Sequence, residues 1–308
     1  MPQREYSTVT ADSALEDDCR QLIRLAVRED LDRGLDWTTV CLIDEDIRGE
    51  CLVVSRQPGI CAGLVTVPWI IDEMNADLQA TAEITDGDAL PVGEPILSLS
   101  GNARDLLTCE RLILNLLSRL CGVATLTSRF VAAIAGTGAR LYDTRKTTPG
   151  WRRLEKYAVN RGGGHNHRSG LYDGFLIKDN HLALGQLAPS TAVERSRHWA
   201  GSVSDLARLP EIVEVEVDSL DQLAEVLPSG PDIVLVDNFS LPDLRTAVAM
   251  RNEIAPDVEL ESSGNVTLET IGEIATTGVE RISSGALTHQ AVWLDLGMDW
   301  TVGSGRVS

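Results

Sequence analysis

Lysine is rare in this chain and concentrated in one short region. The sequence contains three lysines, Lys146, Lys156 and Lys178, which fall within 33 residues, while arginine supplies the other basic side chains. A chain that uses arginine elsewhere is expected to keep lysine where a compact, flexible ammonium group is needed. Lys156 lies in a helix-like stretch beside Arg152 and Arg153, where we expect a solvated basic helix face. Lys146 and Lys178 lie among Gly, Pro, Thr and Asn, which favours a ligand site.

The region around these lysines is basic, although the protein as a whole is acidic. Residues 140–180 include nine basic and four acidic side chains, whereas the rest of the chain has 18 basic and 42 acidic ones. The formal net charge of −19 argues against nucleic acid as a partner, because binding to phosphate backbones requires a basic surface. A locally basic pocket for a small anion is compatible with this charge. His165, His167 and His181 lie in or beside the same region.

Six short apolar segments alternate with helix-like stretches, one of them over 182–200, in the second half of the chain. We expect strands at 140–142, 173–177, 212–217, 232–236, 258–260 and 279–282. This alternation indicates βα units with parallel strands, and the carboxyl ends of barrel strands form the catalytic face. Each segment ends in a polar cluster: Asp143-Thr144-Arg145-Lys146, Lys178-Asp179-Asn180-His181, Glu216, Asp237-Asn238, Ser262-Ser263-Gly264-Asn265 and Ser283-Ser284-Gly285. The pattern predicts an enzyme built on a parallel barrel.

Two of these clusters and two of the acids suit a phosphorylated substrate. Ser263-Gly264-Asn265 is expected to open directly into a helix, where small residues allow backbone N–H groups to approach an anion. Ser284-Gly285 follows the next strand, and phosphate sites of barrels usually lie at the late strands. Glu216 and Asp237 could hold ribose hydroxyl groups, Mg²⁺ or both. The alternatives are ordinary turns and acids that balance nearby arginines.

The sequence gives little support for covalent or zinc catalysis. It contains no Gly-x-Ser-x-Gly motif. Lys146 and Lys178 are the candidates if a Schiff base forms in the barrel. His165 and His167 could join a third histidine around zinc, but no cysteine or acid stands at the usual ligand spacing. Hydrogen bonding to an anionic substrate suits this arginine-rich region better.

The first half of the chain is predicted to be mixed α and β. We expect a helix over 14–28, strands over 47–56, 78–84 and 94–100, and a long helix over 105–133. No apolar run reaches the roughly 18 residues of a membrane span, and the N-terminus shows no apolar signal segment. The six cysteines include no Cys-x-x-Cys pair and are expected to be mostly buried thiols. We therefore expect a cytoplasmic protein with no membrane partner.

These residues resemble the quinolinate phosphoribosyltransferase family over nearly the whole chain. The most specific stretch comprises DTRKTTPG (143–150), KYAV (156–159), GGGHNHR (162–168) and IKDNH (177–181). Supporting matches include Glu110-Arg111, EVE (214–216), VDN (236–238), ESSG (261–264) and SGALTH (284–289). The sequence departs from the family pattern at Trp151 and Ser284, and neither departure changes the predicted site.

The resemblance implies an α/β fold with two domains in each subunit. An N-terminal α/β sandwich would span residues 1–115 and be joined by the C-terminal segment 290–308. An incomplete, six-stranded parallel β/α barrel would span residues 116–289. The resemblance also implies a homodimer, in which Arg111 of one subunit reaches the substrate held in the barrel of the other.

The implied reaction joins quinolinate to phosphoribosyl pyrophosphate with Mg²⁺ and yields nicotinate mononucleotide, pyrophosphate and CO₂. By resemblance the groups that bind quinolinate are Arg111, Thr144, Arg145, Lys146, His167, Arg168 and Lys178. The groups that bind phosphate are Ser263, Gly264, Asn265, Ser284, Gly285 and Ala286. The catalytic residues are Lys146, Lys178, Glu216 and Asp237, of which the two acids would bind the metal. Such a reaction needs no nucleophile from the protein and depends on positioning and electrostatic stabilisation.

Two other interpretations remain open from the sequence. One is a paralogue of the same fold associated with molybdenum uptake operons. The other is a non-catalytic anion-binding protein on this scaffold. We favour the quinolinate enzyme because the Arg-Lys and His-Arg clusters are complete, and because a binding protein would not need acids for a metal together with two phosphate loops.

Overall fold

The computed structural model of the protein describes residues 5–202, 209–302 and 305–307. Its helices are α1 Ser13–Leu31, α2 Trp37–Leu42, α3 Thr66–Glu73, α4 Ala103–Ala133, α5 Arg152–Arg161, α6 Asp179–Gly185, α7 Pro189–Ser202, α8 Leu220–Val226, α9 Leu241–Ile254, α10 Ile271–Ala275 and α11 Ala286–His289. Its strands are β1 Arg48–Ser55, β2 Gly59–Ile60, β3 Leu78–Ala82, β4 Ala89–Leu90, β5 Pro95–Asn102, β6 Arg140–Tyr142, β7 Phe175–Ile177, β8 Val213–Val217, β9 Ile233–Asp237, β10 Glu259–Ser263, β11 Arg281–Ser283, β12 Leu296–Val302 and β13 Gly305–Val307.

The chain forms two compact units, each assembled from three chain segments. The barrel unit comprises residues 1–8, 129–146 and 164–286, and the sandwich unit comprises residues 9–128, 147–163 and 287–308. The sequence predicts one domain over residues 1–115 with 290–308 and another over residues 116–289. These domains have fewer and longer segments than the two compact units, and their boundaries remain a prediction. Within those boundaries, residues 1–4, 203–208, 303–304 and 308 lie outside the described residues.

The barrel unit is built on a six-stranded sheet in the order β6-β11-β10-β9-β8-β7. All of its pairings are parallel. The strand β6, which comes first along the chain, pairs with the last strand β11 and not with the next strand β7. This order is that of a barrel left open between β6 and β7. It confirms the predicted incomplete barrel, and each of the six predicted strand segments overlaps one observed strand. The strand β10 continues to Ser263 because Ser262 and Ser263 pair with the end of β9.

The open edge of β6 is covered by a segment that carries several predicted site residues. Tyr142 forms a parallel bridge with His165. The amide of His165 donates to the carbonyl oxygen of Leu141 over 2.8 Å, and the amide of Asp143 donates to the carbonyl oxygen of His165 over 3.1 Å. These bonds satisfy backbone groups that an unpaired sheet edge would expose. The segment is thereby held in line with the strands, so that His167 and Arg168 follow at the same end as the Asp143 cluster.

Two predicted helices in the barrel unit were wrong in their bounds. The helix expected over 182–200 is divided into α6 and α7, because Gln186 has a left-handed backbone (φ 51°) and Pro189 begins the second helix. The helix expected to open directly at Asn265 begins at Ile271 instead. Gly264 and Asn265 have φ angles of 95° and 49°, which cannot belong to a right-handed helix. The Ser-Gly-Asn loop is therefore a turn and does not stand at a helix N-terminus.

The sandwich unit contains a five-stranded antiparallel sheet in the order β13-β12-β1-β5-β3. The strand β1 lies between β5 and β12, so the centre of the sheet joins segments from the two ends of the chain. The helix α4 buries residues at helical spacing, including Leu106, Ile113, Leu117 and Leu120. A sheet with helices packed on it agrees with the predicted α/β sandwich. Five of the six cysteines are buried, and Cys41 is exposed.

The helix α5 is enclosed in the sandwich unit, contrary to the predicted solvated face. All residues from Leu154 to Val159 are buried, and Lys156 has no exposed surface. The buried carboxylate of Glu155 accepts hydrogen bonds from the guanidinium of Arg119 on α4. Six consecutive buried residues mean that this part of the helix is covered on all sides, so the prediction that Lys156 lies on a solvated face was wrong. None of the helices in the described ranges is long and apolar enough to cross a membrane.

Candidate active site

Most of the predicted site residues lie where the parallel strands of the barrel unit end. The exception is Arg111, which lies on α4 of the sandwich unit. Its side chain is exposed and forms no ion pair or hydrogen bond with any residue that the structure describes. The sequence also allows a partner four residues away on the same helix, such as Asn115, but no such contact is present within the described chain.

The first cluster, after β6, is organised around the buried carboxylate of Asp143. One oxygen accepts from the backbone N–H of His167 and the other from the side-chain amide of Asn166, both over 2.8 Å. These bonds fasten the start of the cluster to the segment that covers the β6 edge. Arg145 and Lys146 beyond it are exposed, and the hydroxyl oxygen of Thr144 accepts from the amide of Lys146 over 3.0 Å. The arrangement presents two cationic side chains on a short, tethered loop.

The ring of His167 lies inside the barrel between two buried carboxylates. Its Nε2 is 3.1 Å from Oε2 of Glu214 and 3.4 Å from Oε1 of Glu261. Burial by itself would lower the pKa of His167, but the negative charges of the two glutamates outweigh it and raise the pKa to about 10. The backbone N–H of Arg168 points at Nδ1 of His167 over 2.8 Å, and the dipole of this N–H disfavours a proton on Nδ1. One backbone dipole is weaker than two full charges, so we assign the charged imidazolium.

Beneath this histidine, Arg281 balances the second carboxylate. Its Nε donates to Glu261 over 2.9 Å, and its guanidinium carbon stands 3.6 Å from the centroid of the Tyr142 ring. Although burial acts in the opposite direction, His167 and Arg281 hold the pKa of Glu261 below its usual range. The atoms of His167, Glu214 and Glu261 are close enough together to share a metal ion. Because an imidazolium and a guanidinium already balance the two carboxylates, we interpret this group as an internal charge network.

Lys178 and Glu216 bring the ends of two adjacent strands together. The ammonium group of Lys178 forms an ion pair with Oε2 of Glu216, and the lysine side chain remains 43% exposed. Glu216 also lines a cavity of about 480 Å³ together with Asp237, Asp179 and Asp218. No lysine or arginine is among the described residues that line this cavity. The two predicted metal ligands therefore face one space with two further carboxylates.

Asn238 connects the end of β9 to the Ser-Gly-Asn loop after β10. Its side-chain amide donates to Asp237 over 2.7 Å, its Oδ1 accepts from Asn265 over 3.2 Å, and its backbone amide donates to the carbonyl oxygen of Ser263 over 2.9 Å. Its own backbone is left-handed, with a φ of 57°. A side chain at Gly264 would place Cβ 2.2 Å from the Asn238 Oδ1, so glycine is required there. Asn238 thus holds both the carboxylate of Asp237 and the predicted phosphate loop after β10.

The second predicted phosphate loop follows β11 and is largely buried. The Ser284 amide donates to the carbonyl oxygen of Tyr142 over 3.0 Å, and its hydroxyl donates to the carbonyl oxygen of Val266 over 2.9 Å. The amide of Ala286 donates to the same Ser284 oxygen over 3.3 Å, at the first residue of α11. The amide of Ser284 therefore ties this loop to the end of β6, and its hydroxyl ties the loop to the chain that follows β10. Gly285, between them, is partly exposed.

Glu5 and Tyr6, which contact the residues inside the barrel below these clusters, could not be found from the sequence. Glu5 accepts a hydrogen bond from the hydroxyl of Tyr142 and forms an ion pair with Arg140, and Tyr6 donates to Glu214. The alternating pattern of β8 places Glu214 on the face of Glu216, so that its inward direction could be predicted. Nothing in the sequence near Tyr6 indicates a place inside the barrel. Its position depends on tertiary packing that local patterns do not encode.

Comparisons with known proteins agree with this geometry. The family model "Quinolinate phosphoribosyl transferase, C-terminal domain" matches residues 123–299, and the model of the N-terminal domain matches residues 36–121. The nicotinate-nucleotide pyrophosphorylase (carboxylating) of Mycobacterium leprae is 42% identical over 285 residues, which cover 92% of this chain and 97% of that protein. A probable nicotinate-nucleotide pyrophosphorylase (carboxylating) of Bacillus subtilis is 38% identical over 290 residues, covering 94% and 95%.

Solved structures show the same likeness in three dimensions. The nicotinate-nucleotide pyrophosphorylase from Francisella tularensis has a TM-score of 0.86 and 35% identity, and the match covers 96% of this chain and 100% of that chain. The enzyme of that name from Ehrlichia chaffeensis has a TM-score of 0.82 and 32% identity, over 91% of this chain and 98% of the other. Family models, sequence relatives and solved structures each cover most of both units. The chain belongs to the quinolinate phosphoribosyltransferase family.

Proposed function

We propose that this protein is a carboxylating nicotinate-nucleotide pyrophosphorylase, a phosphoribosyltransferase that makes nicotinate mononucleotide for de novo NAD synthesis. The quinolinate nitrogen forms a bond to the anomeric carbon of phosphoribosyl pyrophosphate as the bond to pyrophosphate breaks. The carboxylate beside that nitrogen leaves as CO₂, and a proton takes its place. One observation supports this proposal most strongly. In a chain of this family, cationic side chains and carboxylates lie together at one end of the barrel strands.

The cationic side chains suit the two adjacent carboxylates of quinolinate. Arg145 and Arg168 follow the strand β6 and the segment that covers its edge, and guanidinium groups bind carboxylates in two-point contacts. Lys146 and Lys178 supply compact charges for carboxylate or phosphate oxygens. His167 adds its positive charge from inside the barrel. In this proposal the pyridine ring is oriented by charge on several sides, which is the positioning that the reaction requires.

The carboxylates around the 480 Å³ cavity suit Mg²⁺, which prefers oxygen ligands and retains several waters. We propose that Glu216 and Asp237 hold this ion, with Asp179 and Asp218 within the same cavity. Bound Mg²⁺ would neutralise charge on the pyrophosphate. Glu216 would have to exchange its ion pair with Lys178 for the metal, which would leave the lysine ammonium available to an anionic substrate.

The two loops after β10 and β11 are proposed to bind the 5′-phosphate. Ser263 ends the strand β10, and Gly264 and Asn265 form a left-handed turn in which the glycine leaves the backbone accessible. Gly285 and Ala286 stand at the start of α11, where amide groups are directed away from the helix. The tie from Asn238 to the first loop would link phosphate binding to the placement of Asp237.

We further propose a homodimer in which each active site includes Arg111 from the other subunit. The side chain of Arg111 is exposed and has no partner among the residues that the structure describes, which supports this role. A set of exposed apolar side chains in the sandwich unit supports a contact surface for a second copy: Leu35, Trp37, Val40 and Leu42 are 39–73% exposed on or beside α2. Exposed apolar patches of this kind mark interaction sites. A cytoplasmic location remains a prediction from the sequence.

The test of the proposed function is direct turnover. The purified protein is incubated with quinolinate, phosphoribosyl pyrophosphate and MgCl₂, and pyrophosphate and CO₂ are measured in parallel. We expect equal amounts of the two products, and neither when quinolinate is omitted. Asp237→Asn serves as the matched control, because it removes one proposed metal ligand with almost no change in size. Absence of both products with the wild-type protein would refute the proposal and favour a binding protein or the molybdenum-associated paralogue.

A further inference from the structure

The beginning of the described chain enters the interior of the barrel unit. Tyr6 is 4% exposed and packs with Ile212 and Ile233, at the start of β8 and β9. A side chain at Gly174 would place Cβ 2.6 Å from the Cε1 atom of Tyr6, so glycine at that position leaves room for the tyrosine ring. The tyrosine is therefore a fitted part of the barrel interior.

Tyr6 makes two contacts with the internal charge network. Its hydroxyl donates to Oε2 of Glu214 over 2.7 Å. Its ring stacks on that of His167, with 4.6 Å between centroids and 29° between planes. Burial, followed by the negative charge of Glu214, raises the pKa of Tyr6, so that its hydroxyl keeps the proton that it donates. One residue thus fixes both the histidine and one of the carboxylates that hold it.

Both partners of Tyr6 adjoin groups of the proposed site, and His167 is itself one of the proposed cationic groups. His167 precedes Arg168, and its backbone N–H is bonded to Asp143 at the end of β6. Glu214 shares the inward face of β8 with Glu216. Glu261 also faces the histidine, and Arg281 in turn donates a hydrogen bond to Glu261. Tyr6 is the neutral member of this group, and it limits how far the imidazolium ring can turn or shift.

We propose that Tyr6 is a positioning residue for quinolinate binding: through His167 and Glu214 it fixes the segment that carries Arg168. This inference rests on the proposed function, because it assigns quinolinate to that segment. It goes beyond the proposed function in making the N-terminal segment, which lies far from the catalytic clusters in sequence, a part of the substrate site. The role is indirect, since Tyr6 lies in the interior beneath the strand ends.

The test is Tyr6→Phe, which keeps the ring and removes the hydroxyl that bonds to Glu214. We expect the KM for quinolinate to rise about 5- to 15-fold. A directly lost hydrogen bond to a charged group corresponds to roughly 12- to 160-fold, and the effect of Tyr6 is smaller because it reaches the substrate only through His167 and Glu214. The KM for phosphoribosyl pyrophosphate should stay within about twofold, because its proposed ligands do not contact Tyr6. Tyr172→Phe is the matched control: it is the same change at a 64% exposed tyrosine of the same unit, and it should alter neither KM.

A second readout follows His167 without any substrate. In protein labelled with ¹⁵N-histidine, the ring N–H signal of His167 is assigned by its loss in His167→Gln. We expect Tyr6→Phe to shift this signal and Tyr172→Phe to leave it in place. If the wild-type protein does not turn over quinolinate, the proposed function fails, and the ring signal still decides whether Tyr6 holds His167.

Three results would overturn the inference. An unchanged His167 signal would show that Tyr6 does not hold the ring. A shifted signal with an unchanged KM for quinolinate would show that the contact does not reach the substrate. Equal increases in the KM values for both substrates, together with a lower unfolding temperature, would show general destabilisation instead of positioning.

Discussion

The ammonium group of Lys178 and the carboxylate of Glu216 form an ion pair across the ends of the neighbouring strands β7 and β8. The lysine is 43% exposed and the glutamate 16%, so the pair faces solvent at the strand ends and is not part of the buried core. Such a pair contributes little to stability. Its value is that either group can exchange its partner for a ligand of opposite charge.

We expect Lys178→Ala to lower kcat/KM by about 10²-fold or more, because a preorganised charge beside the reacting groups is lost. The unfolding temperature should change little. Steady-state kinetics and thermal unfolding followed by circular dichroism measure the two effects. The control is Arg197→Ala, which removes an arginine of similar exposure (37%) that pairs with Asp232 beside the amino end of β9. Near wild-type kcat/KM for Lys178→Ala would mean that this lysine has no role in turnover.

Quinolinate should be used in strong preference to nicotinate. Nicotinate lacks one carboxylate and would leave at least one guanidinium of the site unpaired, at a cost on the order of 2–5 kcal/mol. We therefore expect kcat/KM to be about 30- to 4000-fold lower with nicotinate. Competition between the two substrates, followed by separation of products, measures the ratio. Comparable rates would remove the basis for assigning a dicarboxylate.

Mixing two inactive variants tests whether Arg111 acts across the proposed dimer. Arg111→Ala and Lys146→Ala should each be inactive alone. If Arg111 acts on the other subunit's barrel, a mixed dimer has one site with both residues intact, and activity should return after subunit exchange. If Arg111 acts within its own subunit, each site in the mixed dimer still lacks one residue and the mixture stays inactive. A mixture of Arg111→Ala with itself, treated in the same way, controls for the exchange procedure.

Asn238→Ala should weaken the binding of phosphoribosyl pyrophosphate more than that of quinolinate. The substitution removes the hydrogen bonds to Asp237 and Asn265 that join the carboxylate to the phosphate loop. We expect the KM for phosphoribosyl pyrophosphate to rise about tenfold, as for one or two lost hydrogen bonds. Asn75→Ala is matched for backbone strain, since Asn75 has a φ of 49° in the sandwich unit. If the two variants behave alike, the effect arises from the left-handed backbone and not from the ties.

Arg119→Ala should destabilise the sandwich unit strongly. The guanidinium of Arg119 bonds to the fully buried carboxylate of Glu155 and to the carbonyl oxygens of Thr288 and Ala291. Removing it leaves a buried charge without its partner, which costs about 3–5 kcal/mol. Denaturant unfolding of the wild type, Arg119→Ala and the exposed control Arg48→Ala measures the difference. A loss below about 1 kcal/mol would mean that water replaces the guanidinium.

The strand pattern and the polar strand ends could be predicted because both follow local rules. The alternation of apolar strands with helices gave all six barrel strands, and the lysine distribution marked the loops after β6 and β7. Local rules failed where a few backbone angles or tertiary contacts decide the outcome. The left-handed backbone of Gly264 and Asn265 forms a turn where the sequence predicts the start of a helix. Tertiary packing buries Lys156, although the sequence of its helix is mostly polar.

The places of Tyr6 and Glu261 illustrate a second limit. The partners of Tyr6 lie more than 150 residues away in sequence, so that no window of the chain contains the contact. Glu261 stands in a motif whose serine and glycine suggest phosphate binding, whereas its side chain turns inward to Arg281. A motif gives the residues at a strand end, but the alternation of the strand decides which of them face the interior.

The interleaving of the two units has a consequence for how the chain folds during synthesis. The central sheet of the sandwich needs β12, which follows β1 by more than 200 residues, and the barrel needs both Glu5 near the start and Arg281 in its last strand. Neither unit can close while the ribosome is still making the middle of the chain. Such nonlocal topology slows folding, and incomplete chains expose strand edges that favour aggregation. The nascent protein is therefore expected to remain prone to aggregation until nearly its full length has emerged.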